Sequence, residues 1–525
     1  MDTRVLYLGL GLMLSNQALS AVSDEQLQRE LDALKAQTQA VQERLEQLTD
    51  AQDQGHNAAS DQQHIEDSFA NTTESRFLTP ESHRDYADRI ENVLNNFIEI
   101  DGYFRAGYGR NNAGGALTGF KAPGAMAKYR LGNEAENFGE LIFGKTFFLP
   151  DAFQLTDALH PASQDSGPVA FLQLRLDFFN PYTDYSTASE TSVGVPEAWV
   201  AIGNVISSQP QAKFWAGNRF YRRHDIGVND FFFWNMSGGG AGLEDLQFGP
   251  GKLAIAWIGT GATSGFSNLP EPDPENKADF SKTNVDIRYY DVPLLSGLAE
   301  IGLVYSRAKS GLDADGNQVS KTSGTAFHLV HTKPAFISDD GVNKFSLQYG
   351  TRAAKTFTSG FETFQVDGSN YIQPDLDDSW RFRITENFTA NISERWSLGP
   401  VLIYQQTQYG EAVGKQTWYS AGVRPIVHFN ERFNLAFEAG WDKVTAQAGE
   451  AASSIRILTD THGQLTKLTV APQISLGNRF NSRPVLRAFV TWARWSNSFS
   501  DAVGGNSYAG KTEGLNIGVQ METWW

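Results

Sequence analysis

Between Gly217 and Glu244 the chain reads GNRFYRRHDIGVNDFFFWNMSGGGAGLE. Arg219, Arg222, Arg223, His224 and Asp225 crowd its first half, and Asp230 follows. The rings of Phe231, Phe232, Phe233 and Trp234 then lead into Gly238, Gly239, Gly240 and Gly242. No single period spans the stretch. Guanidinium and carboxylate groups this dense do one of two jobs. They tie a long loop down through charged hydrogen bonds, or together with the rings they offer a mixed polar and aromatic surface to a ligand. An enzyme of the glycosidase kind would need a carboxylate pair, one member held protonated by its surroundings. Asp225 and Asp230 invite that reading. The cationic neighbours Arg222, Arg223 and His224 argue against it, because opposite charge favours the ionised form. Carboxylates that only accept hydrogen bonds suit transport, so no catalytic residue is expected.

The elements that position this stretch must come from the rest of the 525 residues, a length very large for one ordinary core. The formal charge of -17 makes nucleic acid an unsuitable partner. The absence of Cys removes disulfides, thiol chemistry and cysteine metal sites. Beyond the N-terminus no run of 18 apolar residues occurs, which excludes a helical membrane protein but not a β-barrel, whose strands show only short alternation. The 49 glycines and the 35 Phe, 17 Tyr and 12 Trp fit a large sheet structure with tight turns.

Residues 1–21 have the form of a signal peptide, with Arg4 as positive flank and an apolar stretch from Val5 to Leu14. From Val22 to Asp50, Leu27, Leu34, Val41 and Leu48 alternate with Leu31, Thr38 and Leu45 at heptad spacing, which predicts a self-associating coiled-coil helix over residues 22–50. An isolated helix of that length is marginal in water, so its seam needs a partner. Residues 51–95 are polar and predict a linker. His56, His64 and His83 are too loosely spaced there to define a metal site.

From residue 96 the texture changes to period two. Ile98, Ile100, Phe104, Ala106 and Tyr108 share one face, and Glu99, Asp101, Tyr103, Arg105 and Gly107 share the other. The same alternation recurs around Phe138 and Glu140, at Leu253–Trp257, at Ala299–Tyr305 and at Phe433–Trp441. Charges on the second face would be costly in a packed sandwich core but not in a water-filled lumen. The last strand, LNIGVQMETWW, places Leu515, Ile517, Val519, Met521, Thr523 and Trp525 outward, and Trp524 in the lumen with Glu522 and Gln520. An aromatic terminal residue is the usual ending of an outer-membrane barrel. Trp524 either packs on an infolded loop or serves a solute. About 430 residues at roughly 9 to 11 per spanning strand, plus turns and loops, give sixteen to eighteen strands. A barrel that wide is not filled by its own side chains, and Gly217–Glu244 is the segment suited to narrow it.

The chain resembles the maltoporin and sucrose-porin family of outer-membrane sugar channels. The matching stretches are DGYFRAGYG (101–109), AKYRLGNE (127–134), FWAGNRFYRRHD (214–225), NDFFFWNMSGGGAGLE (229–244), GKLAIAW (251–257), VNKFSLQYG (342–350), WYSAGVRPIV (418–427), NSRPVLRAFVTWARW (481–495) and QMETWW (520–525). The heptad arm is similar to that of the sucrose-porin branch. The resemblance implies an 18-stranded antiparallel transmembrane β-barrel with an infolded constriction loop. It also implies a homotrimer in the lipid and lipopolysaccharide of a Gram-negative outer membrane; the arm is expected in the periplasm, where tethering to a cell-wall or periplasmic partner, spacing and sugar collection all stay open. It implies passive diffusion of oligosaccharides with no cofactor, although a structural calcium is compatible with it. In that family sugar slides along an aromatic strip beside polar tracks. Carried over, the strip falls on Tyr103, Phe138, Phe345 and Trp524, and the track and constriction on Arg105, Arg130, Glu140, Arg223, Asp225, Asp230 and Phe232. Departures are Phe232 at a constriction tyrosine, Phe138 at a strip tyrosine, Pro196 at a track arginine and Asn481 at a strip tryptophan. They leave sucrose, maltodextrin and unselective diffusion all open, with a barrel-borne carbohydrate-active enzyme or adhesin as the remoter alternative.

Overall fold

A computed structural model describes residues 98–148, 167–182, 192–262, 280–312, 318–319, 321–366, 369–372, 376–411, 413–449 and 460–525. The expected signal segment, heptad helix and linker, with His56, His64 and His83, lie outside these residues.

Alternation in the sequence becomes inside and outside in the structure. Along Phe280–Leu294, Asn284, Asp286 and Arg288 are buried on the inner face while Ile287 is exposed on the outer one. Along Phe433–Ala448, Asn434, Glu438 and Asp442 turn inward, and Phe433 and Phe437 outward. In Glu513–Trp524 the inward residues are Asn516, Gln520 and Glu522, while Ile517 and Val519 are each 54% exposed. An apolar outer band over a polar interior is the solution for strands that cross a bilayer, where each backbone group must be paired within the protein. Among the described residues no helix is long and apolar enough to cross a membrane.

Eighteen antiparallel strands form one sheet. It closes where Glu99–Asn111 pairs with Glu513–Trp524, setting Tyr103 opposite Trp524 and Arg105 opposite Glu522. The expected 18-stranded all-β barrel is therefore the fold. At one end lie the two-residue turns at 249–250, 295–296 and 394–395. The C-terminus is tied down at that same end, where Trp525 and Gly102 exchange backbone hydrogen bonds of 3.2 Å. The connections 112–135, 220–237 and 352–378 lie at the other end.

Some of those connections return into the barrel. Residues 220–237 join two paired strands, Lys213–Arg219 and Gly238–Phe248, and include a small hairpin of His224–Ile226 with Phe231–Trp234. This segment runs along the inner wall. The Phe233 carbonyl accepts from Gln348 at 3.0 Å and Arg383 at 2.8 Å, and the Val228 carbonyl accepts from Arg424 at 3.1 Å. Residues 112–135 line a neighbouring stretch of wall, where the Arg130 amide donates to the Val228 carbonyl at 3.3 Å. Lys467 Nζ reaches the Leu131 carbonyl at 2.7 Å. The Tyr129 ring lies over Gly422 and Gly440, which face each other across two strands, and a Cβ at either would come within 2.1 Å of that ring. A third segment, 352–362, is held by Lys282, whose ammonium donates to Thr356 Oγ1 and to the Thr358 and Gly360 carbonyls. Infolding thus narrows a lumen that eighteen strands would leave wide.

Candidate functional site

Tyr103 and Trp524 meet because the first and last strands pair in register. Their rings lie 6.4 Å apart at 15°, and the Phe138 ring lies 6.0 Å from that of Tyr103. Trp524 remains 40% exposed to the lumen. Around this platform the charged groups form a chain. Tyr103 Oη donates to Glu522 at 2.9 Å and accepts from Arg105 at 3.0 Å and Arg130 at 2.9 Å. Arg130 pairs with Glu134 at 3.1 Å, and Arg105 pairs with Glu136 and Glu134. Glu522 also receives Arg483 at 3.0 Å and Arg487 at 2.8 Å, and the Arg483 guanidinium lies 4.1 Å from the centre of the Trp524 ring. Rings that offer a flat apolar face beside charged donors and acceptors match a pyranose, whose C–H patches cover rings while its hydroxyls exchange water for charged partners.

Glu140 faces the lumen one strand further on, accepting from Arg175 at 2.9 Å. Arg175 also pairs with Glu197. Pro196, where the resemblance called for an arginine, falls at a strand irregularity between the Arg175–Glu197 and Asp177–Gly194 pairs. A proline is tolerated at such a bulge. Arg175 supplies the guanidinium in that neighbourhood.

In the infolded segment, Arg219 and Arg222 anchor and Arg223 does not. Arg219 pairs with Glu244 at 3.0 Å among Trp199, Trp215 and Tyr221. Arg222 covers the Tyr290 ring at 3.5 Å, and its carbonyl accepts from Arg288. Arg223 instead lies between two rings, 3.7 Å from Phe220 and 4.6 Å from Phe232. His224 is bound by Glu300 at 3.0 Å. The cationic neighbours Arg222, Arg223 and His224 take other partners than Asp225 and Asp230. Among the described residues neither Asp225 nor Asp230 makes a side-chain ion pair, because the cations are drawn to Tyr290, the phenylalanines and Glu300. Asp225 lines the lumenal cavity, and Asp230 is exposed at the hairpin turn with a φ of 55°.

Phe345 is a correction. Ser346 and Gln348 of Val342–Thr351 are fully buried inside, and Tyr349 is exposed outside. Phe345 shares the parity of Tyr349, so it stands on the outer face and cannot join a lumenal strip. Lys344, its neighbour, faces the lumen and reaches the Asp225 carbonyl at 3.5 Å.

The strip side chains Tyr103, Phe138 and Trp524 therefore converge with Arg105 and Arg130. A cavity opens beside them, lined also by Asp225, Lys344, Arg424, Asn481, Arg483 and Glu522. Glu522, Arg483 and Arg487 were not singled out from sequence, although strand parity signals two of them. Glu522 shares the face of Trp524, and Arg487 alternates with the outward Leu486 and Val490. Among the described residues no group of three or more His, Asp or Glu side chains could hold a metal ion.

A family model described as LamB porin matches residues 98–525. Among solved structures, the chain is similar to a BenF-like porin from Pseudomonas fluorescens, at 9% identity over 82% of this chain and 99% of that one, with a TM-score of 0.42. It is also similar to OccD3 of Pseudomonas aeruginosa, at 10% identity, 82% and 91% coverage and a TM-score of 0.41. A further match is the outer membrane protein OpdK of the same organism, at 10% identity, 82% and 99% coverage and a TM-score of 0.41.

Proposed function

The chain belongs to the LamB porin family and is an outer-membrane diffusion porin, not an enzyme; from that premise we propose that its cargo is oligosaccharide of the sucrose or maltodextrin type. The observation that carries this reading is the lumenal platform of Tyr103, Phe138 and Trp524 with Arg105 and Arg130 at its edge. A solute-neutral pore has no use for an exposed tryptophan stacked against a tyrosine in a wet channel. Successive weak contacts let a sugar move, whereas one tight site would hold it. In this reading Tyr103, Phe138 and Trp524 guide the ring faces of the sugar. Arg105, Arg130, Glu140, Arg223, Asp225 and Asp230 exchange hydrogen bonds with its hydroxyls, and Phe232 with Arg223 borders the narrow passage.

The test is conductance across a planar bilayer. Sucrose or a maltodextrin should reduce the ion current saturably. A current that no oligosaccharide reduces would leave a general diffusion porin. We also propose a homotrimer whose short turns and N-terminal arm face the periplasm, supported by the shared end of the first strand, the last strand and the short turns. Deletion of residues 22–50 should leave the trimer on a native gel, and a shift to monomer would show that the arm holds it together.

A further inference from the structure

The cavity beside the platform is not electrically balanced. Its lining carries the cations Arg105, Arg130, Lys344, Arg424, Arg483 and Arg487. Against them the lining offers the carboxylates Glu134, Asp225 and Glu522. This excess is local, since the whole chain is formally at -17.

The cations share too few partners. Glu522 is divided among Arg130, Arg483 and Arg487, and Glu134 between Arg105 and Arg130. Glu438, also turned inward, is divided between Arg424 and Lys467. Among the described residues Lys344 reaches only a carbonyl, that of Asp225 at 3.5 Å, and the Phe233 ring at 6.0 Å. The Nε atoms of Arg105, Arg483 and Arg487 are buried without an acceptor. Burial, and the crowding of Arg487, Arg424 and Arg130 against Glu522, push Arg483 below the usual arginine range while leaving it charged at neutral pH. At two other places on the inner wall an arginine meets two carboxylates. Glu140 and Glu197 face Arg175, and Asp286 and Glu300 face Arg288. Like charges held together in a partly desolvated cleft repel one another and attract an anion, and low-dielectric walls focus that field.

We propose that this cavity selects for acidic oligosaccharides, sugars bearing a carboxylate or a phosphate, whose anion meets Lys344, Arg483 and Arg487 while a neighbouring sugar ring lies on Trp524. The proposal rests on the oligosaccharide reading and narrows it to a charge class. A fork of guanidinium donors suits both acids, since each presents coplanar or clustered oxygens.

The test compares block of the current by charge-matched pairs: maltose against maltobionate for the carboxylate, and sucrose against sucrose 6-phosphate for the phosphate. At 0.1 M KCl the acidic member should half-block at a concentration about five- to tenfold lower than its neutral partner. At 1 M KCl that ratio should shrink, because the screening length falls from about 10 Å to about 3 Å. Lys344→Gln removes a cation that has no carboxylate partner among the described residues, so it strands no buried charge, and it should bring the ratio toward one. Preference in one pair alone supports the site and identifies its acid. Block by the neutral sugars with an acidic-to-neutral ratio at or below one overturns the proposal and leaves the oligosaccharide reading intact. A current indifferent to all four sugars overturns both.

Discussion

Two of the places where arginine meets aromatic rings in this barrel behave as opposites. At the root of the infolded segment, Trp234 is stacked on His328 at 4.0 Å and capped by Arg288 at 3.7 Å, and all three side chains are fully buried. At the platform, Trp524 is stacked on Tyr103 and approached by Arg483 at 4.1 Å, yet stays 40% exposed. Each place joins a tryptophan, a second ring and an arginine. In the first place both faces of the indole are covered, and the arginine is neutralised by Asp286 and Glu300. In the second, a ring face remains for a solute. The difference teaches that a list of arginines and aromatics says little about function until the neighbours that close or open them are known. It also explains how one dense stretch, Gly217 to Glu244, can be mostly scaffold and only at Arg223, Asp225, Asp230 and Phe232 a lumenal surface.

The sharpest way to break the comparison is Arg288→Met. It should remove about 3–5 kcal/mol of stability, because it leaves Asp286 and Glu300 as buried carboxylates without their cation. The readout is the temperature at which the folded band on a semi-native gel converts to the unfolded one. An unchanged transition would mean that the root does not hold the segment. Gly302→Ala attacks the same place from outside, since a Cβ there would come within 2.1 Å of the Trp234 ring.

Acid should separate a sealed region from an open one. Glu362, in the infolded segment 352–362, is bonded by Lys355 at 3.0 Å and by Arg381. Burial alone would raise its carboxyl, but Arg381 and Lys355 outweigh burial and hold it at about 2. A carboxyl depressed in the folded state contributes stability above its ordinary value of 4.5, and that contribution is lost as pH falls from there toward 2. Amide exchange in residues 352–362 should therefore accelerate across that window, relative to the strand Phe433–Ala448. In Glu362→Gln the acid-dependent step should vanish. Equal protection at pH 6 and pH 3 in the natural protein would contradict this.

Period two carried the barrel itself. Phe433, Phe437, Asn434 and Glu438 fall on the faces their order dictates, and so do Ile517, Val519, Gln520 and Glu522. The same rule applied to VNKFSLQYG would have put Phe345 outside with Leu347 and Tyr349. The family match assigned it to the strip because a match transfers positions without testing which face each one takes. The path of the infolded segment was not legible. Its fastenings join Val228 to Arg424, Phe233 to Arg383 and Asn235 to Thr358, residues more than one hundred positions apart. No local spacing encodes contacts of that range. The cation excess of the cavity was hidden likewise, since Arg105, Lys344, Arg424 and Arg487 come from strands far apart in the chain.

Trp524→Ala sharpens the open side. The ring stands at the end of the last strand with one face to the lumen, so its loss should cost little stability and leave the gel transition within a few degrees of the natural protein. Sugar block should weaken about tenfold, which corresponds to about 1.4 kcal/mol, near the upper end of the value of one ring contact. A gel transition lowered as far as in Arg288→Met, with block unaltered, would reverse the roles given to the two tryptophans.

The smallest effect belongs to Phe232, whose ring lies 4.6 Å from the Arg223 guanidinium at the edge of the passage. Phe232→Tyr adds one hydroxyl there and leaves the ring and the hairpin pairing of Asp225 with Phe232 in place. A single hydrogen bond contributes about 0.5–1.5 kcal/mol net, so sugar block should strengthen by about two- to tenfold, with the lower figure favoured if water already satisfies the sugar at that point. Because the ring is only half-buried, the new hydroxyl can stay solvated and the barrel should melt as before. The substitution discriminates between two views of the constriction. If Arg223 and the phenylalanines form a passive collar, block constants for sucrose and maltotriose stay where they were. If they touch the passing sugar, the longer sugar gains more, because it keeps a ring at the platform while another passes the collar.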